Sequence, residues 1–181
     1  MTPDDIKLHI ERLYSYASPR IVNELELDEV LTNTFSTALQ ATGPTGTSDK
    51  HDSIWLIGIL RKQICAHYRK KYQSEKAIAE ARRSAQDILK QAFDIPQKIS
   101  GLETNVLSRS DNPAFWKAFN ECVGMLSEFH AEIFVLRDLE DISVEEVSGI
   151  FGLSQSDVLE LIYRARMILL ACVAKSLKSK E

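Results

Sequence analysis

The side chains best suited to chemistry in this chain are cations. Arg61, Lys62, His67, Arg69, Lys70 and Lys71 crowd one short segment. Such a strip can contact phosphate, releasing about 0.9 counterions per contact and making binding fall steeply with salt. Cations at a helix C-terminus also suit the helix dipole, so a solvated helix end is the plainer alternative. Tyr68 and Tyr72 stand one turn apart among them. Aromatic rings between Lys and Arg can stack on unpaired bases, at roughly 1–3 kcal/mol each; equally, they can cover the edge of a domain. Trp55 opens the apolar run before the strip, where core packing is its expected role.

A second constellation lies between Ser143 and Arg166, SVEEVSGIFGLSQSDVLELIYRAR. Ser143 and Glu146 have the spacing of a capping box, and Ser154 starts a second helix with Asp157 three residues on. Gly152 hinges the two, which predicts a helix-turn-helix whose second helix enters a DNA major groove. Ser154, Gln155 and Ser156 fill the turn that reaches base edges or phosphates, and Gln can pair with adenine. Ser154 and Asp157 also have a capping role to fill. Tyr163, Arg164 and Arg166 follow on the same helix as candidate DNA contacts. Arg164 lies four residues after Glu160, which offers it an intrahelical partner, whereas Arg166 is expected to be freer for phosphate. The second helix is otherwise apolar, with Val158, Leu159, Leu161 and Ile162.

Other chemistries find no support. His9, His51, His67 and His130 show no ligand spacing with one another or with cysteine, so no metal is expected. No nucleophile–base arrangement, phosphate-cradling glycine loop or pair of carboxylates suggests an enzyme, and no cofactor is implied. Cys65, Cys122 and Cys172 are odd in number, far apart and without CxxC spacing. That pattern argues against zinc and against a disulfide framework, and fits a reducing cytoplasm. The start of the chain lacks the pattern of a signal peptide, and no apolar run approaches the ~20 residues a bilayer requires. The net charge of −4 rules out a generally basic surface but leaves room for local basic patches.

The elements that must carry these groups are helices. Among 181 residues, 44% are hydrophobic and 27% charged, an ordinary globular balance. Only 7 Gly and 5 Pro interrupt the chain, mostly in clusters. Helical periodicity runs over 3–17, with Ile6, Ile10, Leu13 and Tyr14 as a stripe. It recurs over 26–40, with Leu27, Val30, Leu31, Phe35 and Leu39. A loop covers 41–52, and Ser53 is read as the cap of a long helix that ends in the basic strip. Helical segments follow from about 74, from Pro113, and from Glu128. The expected architecture is all-α: two small helical domains, 1–73 and 112–181, joined by a linker over 74–111 that holds one helix. The second domain contains the helix-turn-helix.

Both modules resemble the extracytoplasmic-function type of bacterial sigma factors, in the sigma-70 superfamily. LDEVLTNTFSTAL (27–39) is similar to that family's polymerase-binding helix. SIWLIGILRKQICAHYRKK (53–71) is similar to its promoter-melting helix. FWKAFNECVGMLSEFHAEIFVLRDLEDISVEEVSGIFGLS through YRARMILLACV is similar to its promoter-reading domain. The resemblance implies an alternative sigma factor. RNA polymerase core would be bound around Asp28, Glu29, Thr32 and Asn33, and the minus-ten element at the basic helix. A flipped base would be cradled by the loop containing Thr45, Thr47, Ser48, Lys50 and His51, and the minus-thirty-five element read by the helix-turn-helix. It also implies an anti-sigma factor as a possible partner. The chain departs from the family's common residues at Thr32–Asn33 (Gln-Glu), Lys62 (Asn), Ala66 (Asp), and Leu159 and Leu161 (Lys and Arg). These departures motivate an alternative, a sigma-like regulator with reduced promoter reading. An ordinary helix-turn-helix repressor is a further one.

Overall fold

The computed structural model describes residues 3–21, 23–41, 49–93 and 113–178; within these, the side chains of 3–8, 49–51, 113–114 and 178 are also left aside. Every helix or strand among the described residues is a helix, so the all-α expectation holds. The chain divides into two compact units, Met1–Ser74 and Glu75–Glu181.

The first unit packs α1 (Pro3–Ala17), α2 (Glu24–Gln40) and α3 (Asp49–Lys71) against one another. Asn23 caps α2, its side chain accepting from the backbone N–H of Leu25 and Glu26, which satisfies donors the helix cannot. Leu27, Val30, Thr34 and Ala38 form the buried stripe of α2. Leu39, expected on that stripe, is exposed, because the i, i+4 row runs through Ala38. In α1 the inward face is likewise His9, Leu13 and Ala17, with Ile10 and Tyr14 outside. The α3 stripe is Leu56, Leu60, Ile64 and Tyr68, each buried and four residues apart. Trp55 sits beside this stripe, half-buried. Ser53 does not cap α3: the helix starts at Asp49, and Ser53 is buried within it. Its hydroxyl lies 3.0 Å from Nδ1 of His9 and accepts from Arg12 at 2.9 Å.

The second unit comprises α4 (Glu75–Lys90), α5 (Pro113–Val123), α6 (Glu128–Phe134), α7 (Val144–Phe151) and α8 (Gln155–Lys178). Helix α4, which sequence reading places in a linker, packs on α6, α7 and α8. Its buried Ala81 and Ala85 allow the close approach. Residues 94–112 of the expected linker lie outside the described residues. Ser127 caps α6, and the helix then widens into a π-helical turn, Val135–Leu139. Asp141 turns the chain at φ 56° before Ser143 caps α7.

One expectation is overturned here. Cys122 and Cys172 form a disulfide that ties α5 to α8, with Cα atoms 5.9 Å apart. A sequence separation of 50 residues carries no spacing signal; two packed helices bring the pair together. Cys122 is fully buried beside Phe115, Val123, Leu126, Phe134 and Leu169, and Cys65 takes no part in the bond.

Candidate nucleic-acid interface

The helix-turn-helix is built as its caps dictate. Ser143 Oγ accepts from Glu146 N–H at 3.1 Å, and Ser154 Oγ accepts from Asp157 N–H at 3.1 Å. Gly152 ends α7 at φ 63°, a left-handed conformation that costs glycine nothing. A second constraint acts there: an added Cβ would stand 2.5 Å from Cγ2 of Ile78 on α4.

The apolar residues of α8 divide by face. Val158, Leu161 and Ile162 are buried, and Leu161 therefore serves the core. Gln155, Ser156, Leu159, Glu160 and Tyr163 are exposed, an i, i+3/i+4 stripe along the outer face. His130 lies beneath, buried, its Nε2 donating to the Leu161 carbonyl at 2.7 Å. Burial pushes the His130 pKa down, partly opposed by that hydrogen bond and aided by Arg164.

The two arginines assigned to DNA are both engaged inside the unit. Arg164 donates to Glu160 at 2.8 Å, and to the carbonyls of Ile88, Leu89 and Gln91 at 2.8, 3.3 and 3.0 Å. Its guanidinium thereby gathers carbonyls at and just past the C-terminus of α4, where Ile88 also accepts from the Gln91 N–H at 3.2 Å, and stands over the Phe93 ring, 5.3 Å from its centroid. Arg82 reciprocates from α4, donating to the Gly152 carbonyl at 2.7 Å. Arg166, expected to be freer, makes a two-pronged pair with Asp138, 2.7 Å at each prong. That pair holds Arg166 more firmly protonated. Sequence reading missed Arg82 and Asp138 altogether. The apolar row Ile78, Ala81, Ala85 and Ile88 was the available signal that α4 must bury a face.

On the first unit, Arg61, Lys62, Arg69 and Lys70 are exposed. Lys70 pairs with Glu29 at 3.4 Å, and Lys71 with Glu26 at 3.1 Å. Nε2 of His67 stands 3.0 Å from the same Glu26 carboxylate. The carboxylates of α2 thus partly neutralise the strip. Asp28, Glu29, Thr32 and Asn33 form one exposed face of α2. Tyr68 is not placed for base stacking: it is 1% exposed and its hydroxyl donates to the Arg20 carbonyl at 2.6 Å. Tyr72 is half-buried. The side chains of Lys50 and His51, and the loop residues Thr45, Thr47 and Ser48, lie outside those described.

The sequence of the second unit has known counterparts. Residues 116–169 match the family model for sigma-70, region 4. That span begins in α5 and takes in the whole helix-turn-helix. A protein described as a probable RNA polymerase sigma factor, from Haemophilus influenzae (strain ATCC 51907 / DSM 11121 / KW20 / Rd), is 27% identical over 132 residues. The match covers 68% of this chain and 64% of that protein, so the chain spans less than two thirds of its relative. No solved structure matches. No described helix is long and apolar enough to cross a membrane.

Proposed function

We propose that this chain is an alternative sigma factor of the extracytoplasmic-function type. In this reading it docks on RNA polymerase core through the Asp28, Glu29, Thr32 and Asn33 face of α2, and directs promoter-specific initiation in the cytoplasm. The observation that carries the reading is the doubly capped helix-turn-helix inside the sigma-70 region 4 match, with its outward stripe of Gln155, Ser156, Leu159 and Tyr163. Polar groups of the first turn select bases, and Leu159 suits a thymine methyl. Phosphate contacts, which set register without reading sequence, come from Arg61, Lys62, Arg69, Lys70 and Lys71 in the first unit. Like the relative's printed description, the Lys- and Arg-rich end of α3 supports an initiation role. A soluble or membrane-bound anti-sigma partner fits the same reading.

The alternative of a protein-binding regulator with reduced promoter reading draws on Arg164 and Arg166, whose guanidinium groups are already engaged. One experiment separates the two. The purified chain is mixed with core polymerase, tested for co-elution, and then assayed by run-off transcription from genomic fragments. Co-elution with promoter-dependent transcripts supports the sigma factor; co-elution without transcripts supports the regulator. Duplex binding without co-elution points to a repressor.

A further inference from the structure

The Cys122–Cys172 bond ties α5 to α8. Helix α5 supplies Phe115, Trp116 and Phe119 to one wall of an apolar groove of about 620 Å³, and α8 supplies Leu169, Leu170 and Val173 to the other. The bond links the same two helices through residues that do not themselves line the groove, far along α8 from the reading turn at Gln155–Asp157. Its two sulfurs differ in access. Cys122 is fully buried in the core of the unit, while Cys172 is half-exposed, with its Sγ 3.5 Å from Sδ of the exposed Met125.

We propose that Cys122 and Cys172 form a thiol–disulfide switch that fastens and releases the α5–α8 groove. The proposal rests on the reading of this chain as a transcription factor working in a thiol-reducing compartment, where a disulfide that forms is transient or redox-sensing. The reductant is a small thiol or a dithiol protein. Its thiolate attacks Sγ of Cys172, the accessible sulfur; the S–S bond breaks and Cys122 leaves as a thiolate that takes up a proton. A second thiol of the reductant then displaces Cys172 and is itself oxidised to a disulfide. Two electrons and two protons thus pass to the pair, and the reverse exchange with a small-molecule disulfide restores the bond. Reduced Cys122 fits its apolar site, since a free thiol packs as a small hydrophobe. The core therefore survives reduction, and what is lost is the tether between the groove's walls. The helix-turn-helix keeps its own caps and keeps its shape.

The test uses the full chain with Cys65→Ser, so that no third thiol exchanges. Samples are equilibrated with reduced or oxidised glutathione, denatured, and alkylated with iodoacetamide for mass spectrometry; hydrogen exchange is followed on parallel samples. The oxidised sample should lose both alkylatable thiols together. On reduction, amide exchange should quicken several-fold in α5 and in the last turns of α8, with α7 and the first turns of α8 unchanged. Alkylation of Cys122 and Cys172 in oxidised glutathione, or identical exchange in both buffers, would overturn the switch. Cys172→Ala, which leaves buried Cys122 in place, should exchange like the reduced protein in either buffer; a response to glutathione in that variant also overturns it. These readouts need neither polymerase nor DNA, so failure of the sigma-factor reading remains a separate result.

Discussion

The basic end of α3 and the arginines of α8 look alike in sequence and differ in use. On α3, Lys70 meets Glu29 through a single exposed contact, whereas Lys71 reaches both carboxylate oxygens of the half-buried Glu26 at 3.1 Å. The exposed Lys70 pair is worth little and is easily exchanged for phosphate. On α8, Arg164 binds three carbonyls and Arg166 a carboxylate with both prongs. Planar guanidinium forks of this sort are structural fasteners that lysine cannot replace. A cation's type and its partners, more than its position on a helix-turn-helix, decide whether it can serve DNA.

Several changes can break or sharpen that contrast. Each unit holds one tryptophan, Trp55 and Trp116, so fluorescence in single-tryptophan variants follows each unit by itself. Arg164→Ala removes the Arg164 hydrogen bonds to Leu89 and Gln91, one of two donors to Ile88, and the Glu160 pair, and should cost the second unit about 3 kcal/mol, read from the denaturant midpoint of Trp116 emission. Arg164→Lys should recover only a minor part; full recovery would dissolve the distinction between fork and point charge. Gly152→Ala combines a left-handed φ with a clash at Ile78 and should cost about 2 kcal/mol, again in the second unit alone.

A change of about 1 kcal/mol is expected from Tyr68→Phe, which removes the hydroxyl donated to Arg20, with single-strand affinity unaltered. A tenfold loss of that affinity in a folded Tyr68→Leu variant, which lacks the ring, would return Tyr68 to base stacking.

His130 gives a pH signature on the same unit as Arg164. Its folded pKa lies below its ordinary value near 6.5, so the unfolded chain binds the proton first. Stability is fully present above that value and declines as pH falls through it towards the folded pKa. A His130→Gln variant should flatten the decline in acid titrations followed by Trp116. Smallest in stability, and informative in salt, is the triple change of Arg69, Lys70 and Lys71 to Ala. The folded state should shift by less than ~1 kcal/mol. The log–log salt slope of DNA binding should become shallower by about 0.9 for each phosphate the variant no longer neutralises. An unchanged slope would remove this strip from any DNA surface.

The legible and illegible parts of the chain separate by sequence distance. Ser143, Ser154 and Gly152 act on residues within a turn of themselves, so their spacing announced the helix-turn-helix. The i, i+4 apolar rows point to the all-α fold; Leu13, Leu27 and Val30 are buried as expected, while Ile10, Tyr14 and Leu39 fall outside the buried face. Asp138 stands 28 residues from Arg166, and the α4 carbonyls 73 to 76 residues from Arg164. Nothing local marks such partners: Arg166 therefore reads as freer for phosphate, and Arg164 shows only its local partner Glu160. Tyr68 misled for a related reason: its neighbours on the chain are basic, but its neighbours in space are the core of the first unit.

The π-helical turn at Val135–Leu139 has a consequence for how this domain can change. There the Glu140 N–H reaches back to the Val135 carbonyl at 3.0 Å, one residue farther than an α-helix would allow. Each α-helical residue advances about 100° around the axis. Deleting one residue would restore ordinary winding and swing Asp138 by about that angle, out of reach of Arg166. A lineage that lost that residue would release Arg166 in a single genetic step, with no substitution at the arginine itself.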